Sequence, residues 1–517
     1  MTSMSLARSF RLSFMPPLMV YMAAGIQGLT GIVGTFFVKE YLGLSAEFLA
    51  ALGFWAGLPW ALKMPVGHLV DLIWRWKEGL VFFGAALLTA SIAIMIGLLA
   101  DPAAMRRVMS AEHWFILAAL LAPVGYMVQD VVADAMTVEA VPRLDADGRE
   151  IPAAERKAMH ITMQTLGRVA IIGGSVLVAL ANVFFMSGVH AMPEPQKVAA
   201  YLHVYQWALL IPAVSVAGVA LQAWLRRRNP VQYRHDVERP PVNWWILGGG
   251  VAFTAVSLAV GLGRVPLGQE IIFAASMAIV LFLIWRLVRE LDAAARATLV
   301  GTAVVIFVFR AMPGPGAGAT WWMIDELKFD QQFLSVLSLV GSALTLAGLF
   351  IFRRFMAERS IFYVVGFLTL AGSLLSLPVI GMYYGLHEWT AAHTGGVVDA
   401  RFIALVDTAL ESPLGQIAMV PMLAWIANSA PERLKATYFA VMASFTNLAL
   451  SASQLGTKYL NQWHTVTREV RDPVTKAIKV PADYNDLGTL FIAATLLGLL
   501  VPLATIAIVR AMKMRSA

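Results

Sequence analysis

Long apolar runs recur along almost the whole chain, and they restrict its fold more than any other feature. A helix of about 20 predominantly apolar residues crosses the hydrocarbon core of a bilayer. The 517-residue chain is 59% hydrophobic and 14% charged, whereas an ordinary soluble protein is about 25% charged. We therefore predict an all-α polytopic membrane protein of the plasma (inner) membrane. The predicted spans cover residues 14–38, 46–70, 79–100, 113–138, 159–186, 201–225, 244–262, 269–288, 297–316, 332–352, 361–385, 402–427, 437–458 and 487–511.

The basic residues of the loops give these spans a direction. Outside the spans or at their ends, 24 Lys and Arg residues fall on one side and 12 on the other, and cytoplasmic loops carry the excess. Both termini are therefore predicted to be cytoplasmic. A stretch rich in Arg and Pro, 226–241, has the composition of a linker. It separates an N-terminal six-helix bundle (1–225) from a region of two additional helices (226–296) and a C-terminal six-helix bundle (297–517).

The composition also excludes several functions. The absence of Cys rules out disulfides, thiol nucleophiles and thiolate metal sites. The nine His residues show no metal-ligand spacing, and no phosphate loop or nucleophile–base pair is present. We predict no enzyme activity, no cofactor and no metal. The basic loops explain the net charge of +7, so nucleic acid is not expected as a partner. The expected partners are a small solute, protons and the bilayer. We predict a monomer.

Four charged residues of the first half are predicted at one depth. Lys63, Asp130, Asp134 and Arg168 lie roughly 8–14 Å from the cytoplasmic ends of spans two, four and five. A charge at the bilayer centre costs about 2.5–3.5 kcal/mol on insertion scales, so it is expected to be paired, hydrated or functional. Three interpretations stay open. The group is an ion-pair cluster that fixes packing, or Asp130 or Asp134 carries a coupling proton, or Lys63 or Arg168 binds a substrate carboxylate.

Opposite charges also meet in depth in the second half. Arg310 lies about 20 Å up its span, and Asp407 and Glu411, four residues apart on one helix face, lie about 8–14 Å below the outer side. Four helix-breaking residues follow Arg310 and predict a hinge or gate, or a simple helix end: Pro313, Gly314, Pro315 and Gly316. Polar residues within other spans are candidate substrate contacts or interhelical bonds: Gln27, Gln129 and Asn447.

Several segments resemble known transporter families. Gly67–Asp71 (GHLVD), followed by Arg75, resembles the major facilitator signature between spans two and three, although Trp76 and Glu78 interrupt its basic cluster. Four segments resemble the folate-biopterin transporter family and follow one another as they do in that family: 21–45, 57–71, 129–139 and 431–456.

The resemblance implies a major facilitator fold of two six-helix bundles plus an inserted helix pair, about 14 transmembrane helices in all. It also implies uptake of folates or pterins with protons, and buried charges at Lys63, Asp130 and Asp134. We predict an alternating-access transporter of folate- or pterin-like anions. Muropeptide permeases share the LPW-then-Lys pattern and the helix pair, so a transporter of that kind is one alternative function. A membrane scaffold that does not transport is the other. The candidate gating residues are Gly67, Asp71, Arg75, Glu139, Pro313, Gly314, Pro315 and Gly316.

Overall fold

A computed structural model of the protein describes residues 11–142, 149–228, 242–263, 265–289, 293–352, 358–415, 435–471 and 478–514, together with 144, 355 and 417. Nearly all of its elements are helices, because a backbone in hydrocarbon must satisfy its own hydrogen bonds. The α-helices are α1 Met15–Ile26, α2 Gly31–Tyr41, α3 Ala46–Gly57, α4 Lys63–Leu72, α5 Glu78–Ala100, α6 Pro102–Val108, α7 Ala111–Ala140, α8 Ala153–Phe185, α9 Glu194–Ala208, α10 Leu210–Arg228, α11 Trp244–Leu262, α12 Gly268–Val288, α13 Ala293–Arg310, α14 Ala317–Asp325, α15 Gln331–Ile351, α16 Ile361–Leu375, α17 Leu377–Tyr383, α18 Leu386–His393, α19 Ala400–Glu411, α20 Lys435–Trp463 and α21 Leu487–Ala511.

Within the described part of the chain, 10 helices are long and apolar enough to cross a membrane. The protein is therefore a multi-pass integral membrane protein. The other four predicted spans coincide in part with helices α12, α13, α19 and α20. Residues 418–434, between α19 and α20, lie outside the described residues. The total of 14 spans and the cytoplasmic position of both termini stay predictions.

The first compact unit consists of Met1–Val33 and Pro65–Leu247. In it, α1 packs between α8 and α10, and α5 packs along α7. Glycines allow the closest approach: a Cβ on Gly25 of α1 would lie 2.2 Å from the Ile171 carbonyl oxygen of α8. Similarly, a Cβ on Gly84 would lie 2.7 Å from the carbonyl oxygen of Gly125. Small residues of this kind bring membrane helices into backbone contact.

The second compact unit consists of Gly34–Met64 and Gly248–Ala517. Of the inserted helix pair, all of α12 and most of α11, from Gly248 onward, belong to it. Phe253 and Ile272 of the pair form an apolar cluster with Phe54 and Leu58. Glu270 of α12 accepts hydrogen bonds from two neighbouring side chains of α20, namely Lys458 Nζ at 2.9 Å and Tyr459 Oη at 2.5 Å.

Several spans are interrupted rather than continuous. Short 3-10 turns at Gln27–Thr30 and Leu58–Leu62 divide the first two spans, and another at Ser412–Leu414 follows α19. The predicted break after Arg310 is confirmed, because residues 311–316 are non-helical between α13 and α14. A short antiparallel ribbon, β1 (Val470–Arg471) and β2 (Ile478–Val480), lies between α20 and α21.

Candidate functional site

A tyrosine–aspartate hydrogen bond lies within the first unit. The Tyr21 hydroxyl donates to Asp134 Oδ1 at 2.6 Å, and Tyr21 is only 6% exposed. The tyrosine ring packs on Gly167, where a Cβ would lie 3.0 Å from a ring carbon. Electrostatic interactions join Tyr21 to Asp134, Asp130 and Arg168. Three of the four charges that we predicted at one depth therefore interact with one tyrosine of α1: Asp130 and Asp134 from α7 and Arg168 from α8.

Tyr21 itself was missed by the sequence analysis. A tyrosine inside an apolar run is a weak signal, because many such residues only anchor helices at the membrane interface. The hydroxyl reaches Asp134 because α1 packs against α7. Gly25 of α1 and Gly174 of α8 remove the side chains from the contact between those two helices.

Lys63 belongs to the second unit and begins α4. It follows the 3-10 turn Leu58–Leu62, which has Pro59 near its start, and its side chain is half-buried. The turn therefore interrupts the α-helical geometry of span two directly before this lysine. The pairing of Lys63 with Asp130 and Asp134 stays a prediction.

The three polar candidates outside the charge clusters occupy different surroundings. Gln129 is 2% exposed, and its amide donates to the Val81 carbonyl at 3.2 Å and to Ser215 Oγ at 3.1 Å. It thus joins α5, α7 and α10, which favours the interhelical alternative. Gln27 is exposed in the first 3-10 turn, and Asn447 is half-buried in α20.

An ion-pair network centres on Glu139, at the end of α7 predicted to be cytoplasmic. The Glu139 carboxylate accepts from Lys77 at 2.6 Å, from Gln222 at 2.6 Å and from Arg226 at 2.5 Å. Arg226 also pairs with Glu78 at 2.6 Å. Lys77 is fully buried, so its charge depends on these carboxylates. Only Glu139 of this group was predicted as a candidate residue.

The other candidates from the superfamily signature lie near the end of α4 and just beyond it. Gly67 and Asp71 are half-buried, whereas Arg75 is exposed in a 3-10 turn. Asp71 interacts electrostatically with His68, whose Nε2 accepts the backbone N–H of Asn243 at 2.9 Å. A gating role for these residues stays a prediction.

Side chains of α20 hold the non-helical segment 311–316. Three of them, spaced four residues apart on one helix face, bond to the backbone of the segment: Ser453 Oγ to the Met312 carbonyl at 2.7 Å, Thr457 Oγ1 to the Gly314 N–H at 3.0 Å and Asn461 Nδ2 to the Pro315 carbonyl at 3.2 Å. Gly316 has a φ of 76°, which favours glycine. Hydrogen bonds to α20 thus hold the segment that we predicted as a hinge or gate, Pro313 to Gly316.

Two charged groups near breaks in the second unit have atoms without partners. Arg310, the last residue of α13, is half-buried, and its Nε has no acceptor among the described residues. Asp407 of α19 is 9% exposed, and its Oδ1 has no donor within the same part of the chain. Glu411, four residues further along α19, is exposed. The predicted proximity of Arg310 to these two carboxylates stays a prediction.

A second ion-pair cluster lies at the end of α14 that is predicted to face outward. Asp325 pairs with Lys39 and accepts the Tyr484 hydroxyl at 2.5 Å. Burial, and then the bond to Asp325, raise the pKa of Tyr484 well above its usual value. Tyr484 therefore remains a hydrogen-bond donor over the physiological pH range.

Arg468 anchors the loop between α20 and α21 to the chain between α2 and α3. Its guanidinium donates to the carbonyls of Lys39 at 2.9 Å, Leu44 at 2.5 Å and Leu42, and it stacks over Trp321 at 4.6 Å from the ring centroid. The side chain is 4% exposed, and burial lowers the pKa of the guanidinium. The described part of the loop between α20 and α21 is thus anchored by this buried arginine.

Interrupted membrane helices with charged residues inside them are typical of secondary transporters. Comparison with known proteins agrees. The chain belongs to the BT1 family, which it matches over residues 246–514. A "Folate-biopterin transporter" from Synechocystis sp. (strain ATCC 27184 / PCC 6803 / Kazusa) is 23% identical over 459 residues, which cover 87% of this chain and 75% of that protein. The resemblance to the folate-biopterin transporter family is therefore confirmed.

Solved structures of similar fold are transporters of the POT family. One, in complex with a thioalcohol-conjugated peptide, has a TM-score of 0.60 at 11% identity and covers 99% of this chain and 100% of its own. Another, in complex with 5-aminolevulinic acid, has a TM-score of 0.58 at 12% identity and covers 97% of this chain and 96% of its own. At such identities the likeness shows the fold alone, which is of the major facilitator type. The family and the structural neighbours are transporters, not enzymes.

Proposed function

We propose that this BT1-family transporter carries folate- or pterin-like organic anions across the plasma (inner) membrane by alternating access, driven by protons. The observation that carries the proposal is the group formed by Tyr21, Asp130, Asp134 and Arg168 in the first unit. Charges inside membrane helices are expensive, so those that persist mark ion and substrate pathways by default. The folate-biopterin relative supports the choice of solute class.

Binding of the anion is assigned to cationic side chains. The Arg310 guanidinium keeps an Nε–H without an acceptor among the described residues, and a guanidinium binds carboxylates in a bidentate geometry. A substrate carboxylate at Arg310 would satisfy this donor. Arg168 and Lys63 are the further cationic candidates, and the flat pterin ring would stack on aromatic side chains.

Proton coupling is assigned to Asp130 and Asp134. Asp134 accepts a hydrogen bond from Tyr21, so its charged form has a donor, and Arg168 interacts electrostatically with the same tyrosine. Protonation would weaken both interactions and free Arg168 for an anion. The proton and the anion would then be bound in turn, as symport requires.

The non-helical segment 311–316 is the proposed moving part. Its backbone groups bond to side chains of α20, and hinges consist of a few loop or helix-end residues that absorb the change in backbone angles. Arg310 directly precedes the segment, so bending there would move the proposed anion-binding group together with the hinge.

The test is uptake of labelled folate into proteoliposomes with and without an inward proton gradient. Unlabelled pterin and muropeptide serve as competitors. Gradient-dependent accumulation that pterin blocks is the expected result. Entry of muropeptide but not folate would move the protein to the alternative solute class, and entry of no solute would leave the scaffold alternative.

The coupling residues are tested in the same vesicles. We expect Asp134→Asn and Asp130→Asn each to abolish accumulation. The matched control is Asp101→Asn, since Asp101 caps α6 at the surface and Asn caps helices equally well. Uptake at the wild-type level in both aspartate variants would contradict the assignment.

A further inference from the structure

The carboxyl group of Asp407 differs from that of Asp134 in its surroundings. Asp134 accepts the Tyr21 hydroxyl, whereas Asp407 is 9% exposed and its Oδ1 has no donor among the described residues. A buried carboxylate is stable only when a cation, a set of donors or a proton compensates its charge. Asp407 therefore needs a compensating group, and no described residue donates a hydrogen bond to its Oδ1.

The position of Asp407 along its helix makes a negative charge still less favourable. Helix α19 ends at Glu411, and the 3-10 turn Ser412–Leu414 follows directly. The C-terminal end of a helix carries partial negative charge and stabilises cations, yet α19 has no basic residue in its last turn. Asp407 lies about one turn from this end.

Among the described residues, the helices that pack against α19 contain no Lys or Arg. These helices are α15, α16, α17 and α18. Helix α15 has no ionisable residue, and the titratable groups of the other three are Tyr363, Tyr383, His387, Glu388 and His393. The charged group that interacts electrostatically with Asp407 is Glu411, of like sign. The surroundings of Asp407 thus favour its neutral, proton-bound form.

We propose that Asp407 is a second proton-binding residue, in the unit that does not contain Asp134, and that it takes up and releases a proton during each transport cycle. This inference rests on the proposed proton-driven transport and deepens it. The proton is taken from water on the side of higher proton concentration, is held on the carboxyl oxygen, and returns to water on the other side. A metal cation fits the site less well, because the described residues hold no cluster of three or more acidic or His side chains.

The first experiment separates proton coupling from substrate movement. In proteoliposomes, we expect Asp407→Asn to keep folate counterflow at equal pH and to lose accumulation driven by a proton gradient. Asp407→Glu should restore accumulation in part. The matched control is Asp399→Asn, since Asp399 caps the same helix at the surface and Asn is an equally good cap.

Two results in these vesicles would overturn the inference. One is wild-type accumulation by Asp407→Asn. The other is equal loss of counterflow and accumulation, which would give Asp407 a substrate-binding or structural role. Accumulation that a sodium gradient drives, and that depends on Asp407, would also reject the proton.

A second measurement does not require that folate be the substrate. The infrared C=O band of protonated carboxyl groups is recorded on purified wild-type, Asp407→Asn and Asp399→Asn protein while pH is varied. We expect one titrating band to be absent in Asp407→Asn alone. A band pattern that is the same in all three proteins would overturn the inference, whether or not folate is transported. If the expected band is lost but no folate flux is found, only the proposed solute is rejected.

Discussion

Tyr21 and Asp134, 113 residues apart in sequence, are joined by a hydrogen bond of 2.6 Å between α1 and α7. Hydrogen bonds to charged groups contribute about 1.5–3 kcal/mol, or roughly tenfold to hundredfold in an equilibrium. We expect Tyr21→Phe to lower proton-driven uptake at least tenfold, because the ring stays against Gly167 while the donor is lost. Tyr205→Phe, at another buried tyrosine of the same unit, is the control. Uptake unchanged in Tyr21→Phe would show that the bond is not used in transport.

The close contact of α1 with α8 predicts a stability effect. A Cβ on Gly25 would lie 2.2 Å from a backbone oxygen of Ile171, whereas Gly173 of α8 has no atom within 4 Å of its Cβ position. We expect Gly25→Ala to destabilise the protein by about 1–3 kcal/mol, as overpacking does. Gly173→Ala should be nearly neutral. Thermal unfolding in detergent measures both, and equal melting temperatures would contradict the observed packing.

The buried network at Glu139 predicts a larger loss of stability. Glu139→Gln removes the negative charge 2.6 Å from the fully buried Lys77 and leaves it the Glu78 carboxylate at 3.6 Å. Removal of one charge of a buried pair costs about 3–5 kcal/mol. The control is Glu155→Gln, because Glu155 forms an exposed pair with Arg11 at 3.6 Å. Such surface pairs contribute about 0–1 kcal/mol. Similar unfolding temperatures for the two variants would argue against the network.

The bonded hinge predicts an effect of Thr457. Thr457→Val removes the acceptor of the Gly314 N–H, and an unsatisfied N–H costs about 1–3 kcal/mol. We expect slower folate uptake together with faster hydrogen exchange at residues 311–316. The control on the same helix is Thr446→Val, because the Thr446 hydroxyl donates to the Ala443 carbonyl of its own helix. Exchange that increases equally in both variants would count against a specific role of Thr457.

The anchor of the loop at Arg468 predicts that lysine does not replace arginine there. Arg468 donates to three carbonyls at once, and a lysine ammonium lacks this planar fork of donors. We expect Arg468→Lys to increase amide exchange in residues 464–471 at least tenfold, since each charged hydrogen bond contributes about 1.5–3 kcal/mol. Arg401→Lys, at an exposed pair with Asp330, should have little effect. Unchanged exchange in Arg468→Lys would mean that the loop is held by other contacts.

Much of the candidate site was accessible from sequence because charge inside an apolar run is conspicuous. Asp130, Asp134 and Arg168 were identified in this way, and so was the break after Arg310. Tyr21, Arg468 and the bonds of α20 to the broken segment were not identified. Polar side chains such as Tyr21 and Thr457 look alike in sequence whether they face lipid, a neighbouring helix or a charge.

The sequence by itself determined that the chain is a bundle of membrane helices, because apolar runs and the need to satisfy backbone hydrogen bonds act locally along the chain. The tertiary structure decided which polar groups are paired. Glu139 meets Lys77 and Arg226 through helices far apart in sequence, and Asp407 is left without a donor for Oδ1 among the described residues. Both outcomes depend on how helix faces pack, and a periodic pattern shared by every apolar helix does not specify which faces meet.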